Sequence, residues 1–339
     1  MAEWGEDDSD ELGWIAADFP DLFDSERRRK AELSTAFLVR IKTTPDGTQA
    51  LLKHARILPR DGAWLAGKFA SQACALTHVI LRHNRMGDAA LEPVFHALRD
   101  APLLLELDIA HTGFEGLHTP SFYELIKNTQ KLEVLSLCHN SVSVTFGIHF
   151  GPALACNTSL KSLLAVRLPL MTAHVNAILY ALWRHPCMKH VYVNDDRIRL
   201  DPNMADVLMV ILRDNQVLRT LSFRTQGYDA DSLIGILGAL RENTTLTTLK
   251  LGRIIECRDN TFADIDAALT SSLLQNVTLE HFDFYGLPED TSSLARHLLG
   301  RNADRRASRL WHARHVFFCS WMVCVAFGAC PIFVTSILT

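Results

Sequence analysis

From Leu76 onward the chain carries short apolar runs of one recurring shape, L-x-x-L-x-L-x-x-N or close to it. "LTHVILRHN" starts at Leu76, "LLELDIAHT" at Leu104, "LEVLSLCHN" at Leu132, "LKSLLAVRL" at Leu160 and "MKHVYVNDD" at Met188. "LRTLSFRTQ" follows at Leu218, "LTTLKLGRI" at Leu246 and "LEHFDFYGL" at Leu279. Successive starts lie 28, 28, 28, 28, 30, 28 and 33 residues apart, a regularity that marks an array of stacked units.

Within each run the apolar positions fall at offsets 0, 3 and 5, which predicts a short strand with those side chains turned inward. Between the runs the apolar spacing changes to that of a helix: "DAALEPVFHALRD" (88–100), "TPSFYELIKN" (119–128), "NMADVLMVILRDN" (203–215), "DADSLIGILGALREN" (229–243) and "TFADIDAALTSSLLQN" (261–276). Each opens on Asp, Asn or Thr, residues that cap helix N-termini. A single strand–turn–helix unit cannot bury its apolar face, so the units are expected to stack, strands parallel and side by side, helices shingled outside. The expected fold is therefore an α/β solenoid. Residues 51–75, where "DGAWLAGKFAS" matches "DAALEPVFHAL", read as a degenerate N-terminal capping unit.

Asn157, Asn215, Asn243 and Asn276 each stand three residues before a strand leucine, where a helix ends. An asparagine there suits a left-handed C-cap. Three of them (Asn157, Asn243, Asn276) also fit the N-glycosylation acceptor pattern, but the repeat explains them without a glycan.

"LRENTTLTTLKL", "LLQNVTLEHFDF" and "LACNTSLKSLLAV" resemble leucine-rich repeats of the ribonuclease-inhibitor type, the 28-residue class also found in NOD-like receptors and Ran GTPase-activating proteins. The resemblance runs over roughly residues 50 to 300 and implies parallel strands on a concave face with helices on the convex one. It does not imply one function. The units ending "AVRL" and "VNDD" lose the asparagine-ladder position, so irregular loops are expected in the middle of the array.

Chemistry is sparse. Gly62 to Phe69, "GAWLAGKF", fits G-x-x-x-x-G-K but has Phe69 where a phosphate loop needs Ser or Thr, and its apolar interior suits the capping helix better. His83, His111 and His139 recur every 28 residues and are expected to form a ladder about 5 Å apart from strand to strand, a polar loop feature rather than a metal shell. No H-E-x-x-H, G-x-S-x-G or G-x-G-x-x-G occurs, so no enzyme activity and no cofactor or metal is expected.

The remaining candidate is the inner face built from strand offsets 2, 4 and 6, which alternation frees from the core. Its expected partner-binding residues are His78, Arg82, Glu106, Asp108, Val134, Leu164, Val166, His190, Tyr192, Asn194, Arg224, Lys250, Asp283 and Tyr285. Charged ends around an apolar centre suit protein recognition. The plainer alternative is a solvated sheet face with no partner.

Composition refines this picture. At 48% hydrophobic and 21% charged the chain is globular, and its net charge of −4 is uneven. Residues 1–30 form an acidic arm: ten carboxylates and no basic residue fall in positions 1–26, leaving 34 Lys and Arg against 28 Asp and Glu in the rest. That slight excess does not make a nucleic-acid surface. The arm's Trp14, Ile15, Phe19, Leu22 and Phe23 suit either a second partner's groove or the chain's own first repeat. The eight cysteines show no C-x-x-C pair, and no secretory signal opens the chain, which is reduced, intracellular usage.

After the repeat domain (76–300) and a basic segment (301–315), residues 316–339 hold no charged side chain. As a helix they would extend about 36 Å, enough for a bilayer. Arginines on the N-terminal side predict repeats facing the cytosol, on a tail-anchored single-pass protein of undetermined organelle. The alternative is a buried final helix in a soluble sensor-like repeat protein. The expected function is a non-enzymatic scaffold or adaptor at a membrane; a regulator of a GTPase or other signalling enzyme is the rival.

Overall fold

In the computed structural model, residues 41–44, 47–195, 197–198, 200–253, 261–285 and 294–309 are described. The acidic arm and the apolar segment 316–339 lie outside them. In chain order the elements are β1 (Ile41–Thr44), β2 (Gly47–Leu51), α1 (Gly62–Ala70), β3 (Leu76–Ile80), α2 (Gly87–Leu98), β4 (Glu106–Asp108) and α3 (Pro120–Asn128). They continue with β5 (Val134–Ser136), α4 (Phe146–Cys156), β6 (Ser162–Val166), α5 (Thr172–Trp183), β7 (His190–Asn194), α6 (Pro202–Asp214) and β8 (Thr220–Arg224). α7 (Ala230–Ala239), β9 (Thr248–Arg253), α8 (Thr261–Gln275), β10 (His281–Tyr285) and a last helix α9 over residues 294–309 complete the set.

One sheet holds all ten strands in sequence order, β1 to β10. From β2 on every neighbour is parallel, with a helix between every successive pair, as parallel strands require a crossover connection. This is the alternating α/β arrangement of a repeat array. The expected inward set forms the core: Leu104, Leu107 and Ile109, or Leu132, Leu135 and Leu137, are at most 1% exposed. Between sheet and helices, Phe95, Phe114, Phe122, Phe146 and Phe150 bridge successive units, with ring centroids 4.8 to 6.2 Å apart. β1 is the exception to the pattern, because it pairs antiparallel with β2 and closes the array with a hairpin.

"GAWLAGKFA" is helix α1, as the capping reading expects, so its amides serve helix bonds. The start of α6 falls a residue earlier than expected: Asp201 is the cap, accepting from the Met204 N–H at 2.7 Å, and Pro202 takes the first helical position.

The asparagines at the helix ends work differently from the left-handed cap expected of them. Asn157 (φ −73°, ψ 136°) and Asn215 (φ −79°, ψ 116°) are extended, and the side chain does the capping. In Asn215, Oδ1 accepts the N–H groups of Val217 (2.9 Å) and Leu218 (2.8 Å), while Nδ2 donates to the Leu182 carbonyl of the preceding unit at 2.9 Å. Asn157, Asn243 and Asn276 repeat the pattern and Asn302 continues the cross-unit donation. An amide so buried and bonded has no room for a glycan, which removes the glycosylation reading of all three acceptor patterns in this fold.

Candidate protein-binding face

The sheet face turned away from the helices is assembled by register. His78 pairs with Glu106, Glu106 with Val134, Val134 with Ser162, and that rung runs on through His190 and Thr220 to Thr248 and His281. A second rung joins Ile80, Asp108, Ser136, Leu164, Tyr192, Ser222, Lys250 and Asp283. The third includes Val166, Asn194 and Arg224. The expected residues from His78 to Asp283, Arg82 apart, thus fall on these three rungs, with neighbours on a rung about 4.8 Å apart. Tyr285 takes its place opposite Arg253 in the strand pairing.

Alternation sets the side of the sheet, however, and not exposure. Asp108 and Tyr192 are fully buried, Leu164 and Val166 are 3% exposed, and Arg82 and Asn194 are 8% exposed. His78, Glu106, Val134, His190, Arg224 and Lys250 are half-buried, and among the described side chains of these rungs only His281 and Asp283 on β10 are open. The apolar centre is therefore closed, and accessible polarity concentrates toward β8–β10.

At the β3–β5 end, Arg82 donates to the buried carboxylate of Asp108, whose Oδ1 also accepts the Ala110 N–H at 3.0 Å. A buried charge needs such a partner. Beside it, burial and the neighbouring Asp108 push the Glu106 carboxyl up to about 8, despite the opposing pull of Arg82. Glu106 is then uncharged at neutral pH, so its 3.9 Å approach to His78 Nε2 is no ion pair there. Glu106 Oε1 is buried without a hydrogen-bond partner among the described residues. At the other end, Arg224 Nη2 donates to Asp283 Oδ2 at 2.6 Å, reaching across the strand that carries Lys250. Asn194 Oδ1 accepts from Ser222 Oγ (2.9 Å) and from the Arg224 N–H (3.2 Å), which fixes the middle of the third rung.

Four side chains of this face escape the sequence reading: Ala110, Cys138, Ser162 and Thr248. They occupy offsets 2 and 6, so the repeat alignment itself was the signal. Burial pushes the Cys138 thiol up to about 11, which leaves it protonated and a poor nucleophile.

The histidine ladder forms, and is longer than expected. His54, His83, His111 and His139 stack with centroids 4.2, 4.5 and 4.1 Å apart and interplanar angles of 12° to 20°. All four have φ between 52° and 59°, a left-handed conformation that histidine tolerates better than most residues. Burial, then the facing His111, His54, Lys53 and Arg82, lower the His83 pKa to about 3. Among the described residues no group of three or more His, Cys, Asp or Glu is placed to hold a metal ion. Beside the ladder, Asn84 and Asn140 tie loops to strands, Asn140 Oδ1 accepting the Thr112 (3.0 Å) and Phe114 (3.1 Å) N–H groups.

No helix among the described residues is long and apolar enough to cross a membrane. No family model matches the sequence, and no curated protein matches it. Among solved structures the chain is similar to leiomodin-1 actin-binding site 2, at 19% identity over 51% of this chain and 82% of that one, with a TM-score of 0.30. It is also similar to the tropomodulin C-terminal domain of Caenorhabditis elegans, at 13% identity over 45% of this chain and 90% of that one, with a TM-score of 0.36.

Proposed function

We propose that the chain is a non-enzymatic binding scaffold, built of leucine-rich repeats like those of the ribonuclease-inhibitor type and held at the cytosolic side of a membrane by residues 316–339. The observation that supports it is the register of the first two rungs from β3 to β10, which presents one side chain per strand along each of them on a single face. A partner docking on such a face orders few side chains, so little conformational entropy is lost on binding. Confinement to a membrane raises the effective concentration of partners held there. The partner is a protein, met chiefly at β8–β10, where His281 and Asp283 are open and Arg224 and Lys250 half-open.

Two measurements test the two halves. Carbonate-resistant pelleting of the full chain should be lost when residues 316–339 are deleted; a soluble full chain ends the anchoring half. Proximity labelling from the full chain in cells should return a set of neighbours that disappears in the Arg224→Glu/Lys250→Glu variant. An unchanged set ends the claim for this face.

A further inference from the structure

The last helix, α9, changes character along its length. In its first half Ala295, Leu298 and Asn302 are at most 4% exposed and form the side packed on the array. Asn302 Nδ2 donates to the Asn276 and Leu279 carbonyls at 3.2 and 2.8 Å, and Arg301 beside it donates to the Leu273 carbonyl at 2.9 Å. From Asp304 to Arg309 all six residues are exposed, which is more than a full turn, so the helix runs past the edge of what it packs on. The spacing that buries Leu298 and Asn302 nevertheless continues to Arg305 and Arg309, three and seven residues beyond Asn302. The stripe that is core in the first half is cationic and open in the second.

Arg305 and Arg309 are neighbours on that stripe, with Arg309 Nε donating to the Arg305 carbonyl at 3.4 Å. Arg306 stands to one side of them and is answered within the protein by Glu280, at 3.1 Å. Asp304 lies about 100° around the helix axis from Arg305 and about 140° from Arg309, too far round to sit between them. A stripe of core spacing that leaves the fold as arginine is suited to an anionic surface and not to a protein interior, where each charge would have to be desolvated.

The chain that follows selects which anionic surface. Residue 316, where the run without a charged side chain begins, is seven residues past Arg309. That distance is at most about 25 Å for an extended chain and about 10 Å for a continued helix. A bilayer that takes up residues 316–339 brings its phosphate layer to the end of α9, and a guanidinium forks a phosphate through two parallel N–H donors. Nucleic acid would gain nothing from the apolar run beside it. We infer that Arg305 and Arg309 bind the headgroup phosphates of anionic phospholipids and hold the C-terminal end of the array at the membrane surface. This rests on the membrane reading of residues 316–339. Each arginine near an anionic leaflet contributes about fivefold in apparent affinity.

Electron spin resonance of the full chain reconstituted in phosphatidylcholine vesicles, with spin-labelled phosphatidylserine or phosphatidylcholine as the probe, tests the inference. At low salt the protein should hold labelled phosphatidylserine in preference to labelled phosphatidylcholine, and high salt should weaken that preference. Arg305→Gln/Arg309→Gln should bring the ratio close to one with unchanged circular dichroism. Arg60→Gln/Lys68→Gln, the same change of charge on exposed residues at the other end of the array, should leave it in place. An inserted wild-type chain without the preference overturns the inference and spares the anchor, as does a preference that Arg305→Gln/Arg309→Gln leaves intact. A wild-type chain that does not insert ends the anchoring reading instead. In that case flotation with phosphatidylserine vesicles but not with phosphatidylcholine vesicles, lost in Arg305→Gln/Arg309→Gln, still supports the stripe, and no flotation ends it too. Retardation by duplex DNA that the double variant loses, with no lipid preference, gives the stripe to a different polyanion and overturns the inference.

Discussion

Asn243 shows at the scale of one side chain how the units are joined. Its Nδ2 donates to the Leu212 carbonyl at 2.7 Å, and its Oδ1 accepts the N–H groups of Thr245 (3.0 Å) and Leu246 (2.7 Å), all of it buried. Alanine would leave three backbone groups without partners, each worth about 1–3 kcal/mol when buried, partly offset by relaxation and entering water. Asn243→Ala should therefore lose about 2–4 kcal/mol in urea denaturation; a loss under about 0.5 kcal/mol would mean the amide is dispensable. Glu106 supplies a second prediction, with a definite sign. The folded chain holds its proton up to about pH 8, whereas the unfolded chain releases it near 4.5. The stabilisation is thus complete below the unfolded pKa and is lost as pH rises toward 8. Glu106→Gln keeps the neutral shape, so at pH 9 it should be more stable than wild type by about 2–4 kcal/mol, and near-equal at pH 4. Identical slopes of stability against pH for the two chains would refute the buried neutral carboxyl.

At the scale of elements, what could be read from the sequence depended on charge contrast. Helices such as α6 and α8 alternate charged and apolar positions, and their spacing gives them away. α4 and α5 are uncharged on the outside as well, and α4 contains Pro152, so the apolar period that exposes a helix is faint in both. The β1–β2 hairpin was legible but passed over, since Pro45-Asp46-Gly47 between two strand-forming runs is a turn signal. The face residues were legible through the repeat, because register follows period. Their burial was not, because nothing in a two-residue alternation says what stands around a side chain. The α4–α5 contact offers a test of opposing effects. Alanine in place of a helical glycine gains up to about 1 kcal/mol in propensity, while overpacking a tight contact costs about 1–3 kcal/mol. At Gly151 the new methyl would stand 2.8 Å from Ala177 Cβ and 3.0 Å from its carbonyl oxygen, neither of which can swing aside, so Gly151→Ala should destabilise by about 1–2 kcal/mol. Gly67 in α1 has nothing within 4 Å of that position, and there the same change should stabilise by about 0.5–1 kcal/mol. Equal signs at the two sites, read from denaturation midpoints, would mean that propensity alone decides.

For the whole array, the same topology that makes the face continuous makes stability local. Each strand bonds only the strands beside it, and each helix packs on its sequence neighbours, so the coupling between β3 and β10 passes through every unit between them. Such a chain behaves as a row of intrinsic unit stabilities joined by interface energies. A cavity of one size should then have effects that depend on its position. Leu135 and Leu279 are both fully buried leucines of the inward set, at offsets 3 and 0 of their units, one on β5 in the interior and one leading into β10 at the far end. Either truncation to alanine removes the same side chain, at a cost of about 2–5 kcal/mol. In Leu279→Ala the cost can be escaped by fraying the last units alone, so native-state hydrogen exchange should speed up over residues 246–309 and stay unchanged over 104–166. In Leu135→Ala no such escape exists, because opening the damaged unit also strips the interfaces on both sides, and exchange should rise to either side of β5. If Leu279→Ala accelerates exchange equally across the array, the units are not the cooperative elements, and the row of interfaces described above is not what holds the fold together.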